Sequence, residues 1–259
     1  GNWRGISLTS LVAKTLNRMV LNRIQPAIEG VLRDTQNGFR EGRSTTSHIL
    51  ALRRILEGAR QRNLPAAMVF VDFKKAFDSL HRGILMRILK AYGIPDSIVD
   101  IINLLYVNTK GKVITPDGDT ELFDILAGVL QGDTLAPYLF IIALDYCMRQ
   151  ALGKHPEIGF TIKPYRSRRF KAERISDTDF ADDIALIADT VKEVETLMQE
   201  VERVAATVGL KMNEGKTKFI TQNIENPDSI KSLSNSTIEH VEDFTYLGSR
   251  IRVSESDIR

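Results

Sequence analysis

The sequence predicts a mixed α/β fold, and three observations carry that prediction. Helical apolar spacing alternates with short strand-like runs along the whole chain. Hydrophobic residues make up 43% of the 259 positions, enough to bury a sizeable core in one large domain or two smaller ones. Acidic residues border two of the most apolar runs, Asp72 at the end of one and Asp182-Asp183 at the start of the other.

Taken in order, the apolar spacing from Leu8 to Ile28 is helical, with Leu11, Leu16, Met19, Val20 and Ile24 as the stripe. "TQNGFREGRST" reads as a loop, after which Ser44 or Thr45 caps a helix through Ala59 that stops near Asn63-Leu64-Pro65. "AAMVFVDF" is a buried strand. The next helix shows Ile84, Leu85, Ile88 and Leu89 on one face and ends at Gly93-Ile94-Pro95, with Asp78 placed to cap it. Asp96 or Ser97 then caps a helix striped by Ile98, Ile101, Ile102 and Leu105. "GKVITPDGDTELFDI" turns at Pro-Asp-Gly-Asp as a hairpin. "GVLQGDTLAPYLFIIALDYCMRQAL" opens glycine-rich and becomes a long apolar helix, and "DFADDIALIAD" is strand, turn, strand. Val194, Leu197, Met198, Val201, Val204 and Val208 line a last helix, ended by Gly209.

Composition excludes several classes. The single cysteine, Cys147, rules out an internal disulfide and sits in an apolar run where a buried thiol is expected. The histidines His48, His81, His155 and His240 are scattered without zinc-ligand spacing. No apolar run approaches the roughly 18 to 20 residues of a membrane span, the best being broken by Asp145. Both ends read as mid-sequence, which points to a segment of a longer polypeptide. The net charge of +2 divides into +7 over residues 1–62 and −5 beyond. A basic part beside an acidic part fits a polyanion handled with divalent metal.

The paired carboxylates follow from that. Acids buried at strand ends are unfavourable without cations, and Mg²⁺ needs only two or three carboxylates beside water and phosphate oxygens. Two such ions stabilise the attacking and leaving oxygens of a phosphoryl transfer. Read alone, "FADD" is equally a solvated turn, and Asp177, Asp179 and Asp189 are taken as turn or solvated acids. "IKPYRSRRFKAER" sets Arg166, Arg168 and Arg169 among Tyr165 and Phe170, either a nucleic-acid contact or an exposed hairpin.

The ordered blocks "NWRGISL", "QNGFREGRST", "FVDFKKAFDS", "GVLQGDTLAP", "FADD", "GLKMNEGKTK" and "FTYLG" resemble the reverse transcriptase of non-LTR (LINE-type) retrotransposons, over about Asn2 to Gly248. The resemblance implies a right-hand polymerase fold around an antiparallel palm sheet. Fingers would occupy 1–65 and the palm 66–248, with a helical segment and hairpin at 79–127. Residues 249–259 would begin the connection to a thumb that the segment lacks. It implies Asp72, Asp182 and Asp183 as metal ligands, with the carbonyl of Phe73, for two Mg²⁺ ions or Mn²⁺. Lys216 would protonate departing pyrophosphate, and Phe77 would reject a ribose 2′-hydroxyl by volume. Gln131 and Gly132 would meet the incoming nucleotide, as would Arg4 and Lys14 through phosphate. Arg40 and Arg43 would meet template phosphate, and Tyr246, Leu247 and Gly248 the primer. Asp133 departs from the family, where a small or thiol-bearing residue is usual, and is read as a helix cap.

Implied partners are an RNA template, a DNA primer or nicked target DNA, dNTPs, and endonuclease and thumb regions of the same polyprotein, with no membrane. Implied location is nuclear and cytoplasmic. Three rivals stay open: a catalytically silent polymerase-like RNA-binding domain, a group II intron-type reverse transcriptase, and a hydrolase with an acidic Mg²⁺ site.

Overall fold

A computed structural model describes residues 5–116, 118–167, 169 and 171–253. In chain order the elements are α1 (Leu11–Glu29), α2 (Thr45–Gln61), β1 (Ala66–Val71), α3 (Ala76–Ser79), α4 (Arg82–Ala91) and α5 (Asp96–Tyr106). Short strands β2 (Lys110–Gly111), β3 (Ile114–Thr115), β4 (Gly118–Asp119) and β5 (Phe123–Asp124) precede α6 (Ala136–Leu152). Then come β6 (Phe160–Lys163), β7 (Glu173–Ile175), β8 (Asp177–Phe180), β9 (Asp183–Ala188), α7 (Val191–Thr207) and β10 (Lys218–Gln222). Strands β11 (Glu239–His240), β12 (Asp243–Tyr246) and β13 (Ser249–Arg252) close the described chain. Contacts divide it into two units, one of Gly1–Leu32 with Lys75–Ala143, the other of Arg33–Lys74 with Leu144–Arg259.

The second unit is built on a five-stranded sheet of order β11-β10-β1-β9-β8. β1 lies in its middle, antiparallel to both neighbours and buried at every residue. Coverage of both faces explains why its sequence runs apolar without alternation. On one face Met68, Phe70, Ala185 and Ile187 join Leu52, Ile55, Leu56 and Ala59 of α2 in a core cluster. Alternation turns Val69 and Val71 to the other face, where α7 contacts β1 and β9. The buried stripe of α7 includes Val194, Leu197, Met198, Val201 and Val204, as its spacing predicts. Its start is fixed by a capping box between Thr190 and Glu193, and its end by Gly209 at φ +92°.

In the first unit, Ser10 Oγ accepts from Ala13 N at 3.2 Å to cap α1. The buried stripe of α1 is Val20, Leu21, Ile24 and Ile28, whereas Leu11, Leu16 and Met19 are exposed. The apolar core face therefore starts later than the apolar spacing suggests. α4 is capped by His81, whose Nδ1 accepts from Ile84 N at 3.3 Å, rather than by Asp78, which lies exposed inside α3. On α5 the buried side chains are Val99, Ile102 and Tyr106, and Pro95 rather than Asp96 or Ser97 holds the cap position. The β3–β4 hairpin forms as expected, nested inside the β2–β5 pair. Among the described residues no helix is long and apolar enough to cross a membrane.

Candidate active site

The last ladder pair between β1 and β9 is Val71 with Ile184. Carrying that antiparallel register one residue further sets Asp72 opposite Asp183. Asp72 is held on three sides by the chain after α7. Asn213 N donates to the Asp72 carbonyl at 2.7 Å, and Asn213 Nδ2 donates to Asp72 Oδ2 at 2.9 Å. Thr217 Oγ1 accepts from Asp72 N at 3.3 Å. Phe73, buried, continues the pairing through a bridge to Met212.

The same turn carries Lys216. Asn213 O accepts from Lys216 N at 3.0 Å and from Thr217 N at 2.8 Å, leaving the Lys216 side chain exposed. Asp72, Asp183, Gly215, Lys216 and Tyr246 line a common cleft of about 400 Å³. Asp182 occupies the turn position just before Asp183 and is half-buried. Tyr246, expected at the primer, is 2% exposed, and its hydroxyl donates to the carbonyls of Asp183 at 3.2 Å and Thr178 at 3.3 Å. Burial, with Asp179 and Asp183 nearby, pushes that hydroxyl's pKa well up, so it stays a donor to the turn.

The neighbouring acids are not solvated. Asp177 and Asp179 are buried, and so is Asp145, the acid that breaks the apolar run of α6. All three converge on Arg33, whose Nη1 meets Asp177 Oδ2 at 2.6 Å, whose Nη2 meets Asp179, and whose Nε meets Asp145 Oδ1 at 3.3 Å. Arg149 Nε adds a bond to Asp145 Oδ2 at 2.7 Å. Burial raises the Asp179 carboxyl well above the usual range, against the pull of Arg33. Asp189 is likewise occupied, accepting from Thr161 N at 2.9 Å and Thr161 Oγ1 at 2.6 Å. These acids organise the hairpin that presents "FADD". An acid inside an apolar helix and two on one strand face were the only sequence signals of that cluster.

Arg40, expected at template phosphate, is buried at 6% exposure, and its Nη1 donates to the carbonyls of Arg33 and Gln36, both at 2.7 Å. Its guanidinium therefore holds the loop. Arg43 is exposed and reaches Asp34 Oδ1 at 3.2 Å. Leu247 and Gly248, both at positive φ, make the turn between β12 and β13. Arg166 and Arg169 are exposed between β6 and β7, while Arg168 and Phe170 lie outside the described residues.

The remaining expected residues belong to the first unit. The half-buried ring of Phe77 stacks on Phe140 at 4.5 Å and 15°. Gln131 O accepts from Ser7 N at 2.6 Å, and Gly132 at φ +106° comes so close that a Cβ would lie 2.5 Å from Ser7 O. Asp133, read as a helix cap, is buried just before α6, its Oδ1 accepting from Leu135 N at 3.2 Å and its Oδ2 from Asn17 Nδ2 at 2.7 Å. Lys14 is half-buried on the first turn of α1, and Arg4 lies outside the described residues. Burial pushes the Cys147 thiol up to about 12, so it is inert.

Among the described residues no three His, Cys, Asp or Glu side chains form a ready-made metal cage. The donor set instead suits a cation that completes its shell with water and phosphate: two carboxylates facing each other across adjacent strands at an open cleft.

The family model "Reverse transcriptase (RNA-dependent DNA polymerase)" matches residues 1–251. The chain belongs to the reverse transcriptase family. Among its curated relatives is a retrovirus-related Pol polyprotein from a type-1 retrotransposable element R2 of Popillia japonica, 29% identical over 85% of this chain. Another is the Pol polyprotein of the type-2 element R2DM of Drosophila melanogaster, 29% identical over 83% of this chain. This reverse transcriptase chain spans 30% and 19% of their respective lengths. In fold it is similar to apo telomerase from Candida tropicalis, with a TM-score of 0.62 at 14% identity over 93% of this chain and 40% of that one.

Proposed function

We propose that the chain is the RNA-directed DNA polymerase part of a non-LTR retrotransposon protein, extending a DNA primer on an RNA template with dNTPs. The observation that carries this reading is Asp72 set opposite Asp183, with Lys216 on the same cleft, in a member of the reverse transcriptase family. In this reading residues 1–65 are fingers and 66–248 palm. Priming from nicked chromosomal DNA, and hence nuclear work, belongs to the same reading and rests on the resemblance of the motif blocks to non-LTR retrotransposons.

Asp72, Asp182, Asp183 and the Phe73 carbonyl would hold divalent metal, two Mg²⁺ ions in the expected case. Such ions supply charge neutralisation at the attacking and leaving oxygens of a phosphoryl transfer. The primer 3′-hydroxyl gives its proton to water as its oxygen forms the new bond to the α-phosphorus, and the bond from that phosphorus to pyrophosphate breaks. Lys216 donates a proton to the departing pyrophosphate. Asn213 keeps the Asp72 carboxylate and backbone in place by its two bonds, so little reorganisation remains at the moment of reaction. The carboxylates and the lysine together have no use in a silent RNA-binding scaffold.

Primer extension with dNTPs on matched RNA templates tests the reading. Wild-type protein extends the primer, and Asp182→Asn does not. No RNA-templated extension by wild type, or an Asp182→Asn protein as active as wild type, would overturn it.

A further inference from the structure

The loop before α2 does more than connect. Residues 35–37 lie along β8, the edge strand of the sheet: Asp179 N donates to Thr35 O at 2.9 Å and Asn37 N donates to Asp179 O at 2.8 Å, around a parallel bridge of Gln36 with Asp179. That pairing delivers the Gln36 side chain, wholly buried, to the "FADD" turn. Gln36 Oε1 accepts from Ala181 N at 2.9 Å, and Nε2 donates to Ala181 O at 3.3 Å. The same Oε1 accepts from Gly38 N at 2.8 Å.

Ala181 sits at φ +54°, a conformation that residues other than glycine, asparagine and aspartate seldom adopt. Its N–H belongs to the peptide plane before its Cα, and its C=O to the plane after. One amide therefore grips both planes and fixes φ and ψ of the residue that leads into Asp182. Gly38 permits the approach, since a Cβ there would run into the Ala181 backbone nitrogen. A loop anchor needs no such aim; both outward bonds of this amide fall on the single residue that aims the acidic pair.

We propose that Gln36, seated by Gly38, is a positioning residue for nucleotide transfer that sets the backbone of the Ala181-Asp182-Asp183 turn. The inference rests on the polymerase reading above.

The test uses full-length protein and single-nucleotide incorporation on an RNA template with a DNA primer. Four quantities are followed: kcat, KM for dNTP, the Kd of template–primer and the melting temperature. Gln36→Met keeps the volume and removes both bonds to Ala181 together with the one from Gly38 N, and it should lower kcat on the order of 10- to 100-fold with template–primer Kd unchanged. Gln36→Glu keeps the accepting oxygen and should recover most of that loss. Gly38→Ala, which displaces the loop from Ala181, should lower kcat in the same way, and it decides the matter if Gln36→Met does not fold. Unchanged kcat in folded Gln36→Met, a loss of kcat no larger than the loss of folded protein, or Gln36→Glu no better than Gln36→Met would overturn the inference. If wild type extends and the variants match it, only this inference fails. If wild type does not extend, the polymerase reading fails and the inference with it.

Discussion

Asp72, Asp183 and Lys216 carry recognisable motifs and come together on one cleft. Asn213, Gln36 and Arg33 sit in those same motifs or beside them, yet their work depends on partners more than a hundred positions away, such as Asp72 for Asn213. No local spacing encodes such a pairing. Arg40 shows the converse, because an arginine in a basic loop reads as a phosphate ligand until its carbonyl partners are seen. Phe77 remains the sharpest specificity expectation at this scale. Stacked on Phe140, its ring has a fixed place from which bulk can exclude. Phe77→Val should raise ribonucleotide incorporation relative to dNTP, read as the ratio of kcat/KM values. An unchanged ratio would assign the ring to the core.

At the scale of elements, the β8–β9 hairpin is held by a buried charge cluster as much as by its ladder. Arg33→Met would strand Asp145, Asp177 and Asp179 without their common cation, at a cost of about 3 to 5 kcal/mol in denaturant unfolding. The pH dependence has a definite sign. A carboxyl raised by burial, as Asp179 is, contributes stability below its unfolded value and loses it as pH rises through its folded value. Removing Arg33 takes away the cation that pulls the Asp179 carboxyl down and raises it further, so the deficit should be greatest near neutral pH and shrink as pH falls toward the ordinary carboxylate range. A deficit independent of pH would mean that Arg33 acts by packing alone. Arg33→Lys should not restore the loss, because one ammonium cannot meet three carboxylates in a fork geometry. Elements themselves were legible wherever one face is buried, as in β1 and α7. They were misread where a cap is supplied by an unusual residue, as by His81, or where an apolar face is left uncovered, as on the first turns of α1.

At the scale of the whole chain, the order of the motifs carries the family, and the sheet order explains why that order works. β1 delivers Asp72 from between β9 and β10, so the strand that leaves the "FADD" turn and the strand after "GLKMNEGKTK" must both be in place for one cleft to exist. The division into two discontinuous units was not legible, since each unit draws on stretches far apart in sequence. The central claim is that Asp72 and the acids of the "FADD" turn form one catalytic centre. Single-nucleotide, RNA-templated extension by Asp72→Asn, Asp182→Asn and the double variant tests it most directly. Each single substitution should lower kcat by about 10³-fold or more, and the double variant should be no worse than the poorer single, because groups that act as a unit are lost together. Small losses that multiply in the double variant, or near-normal extension by Asp72→Asn, would contradict it.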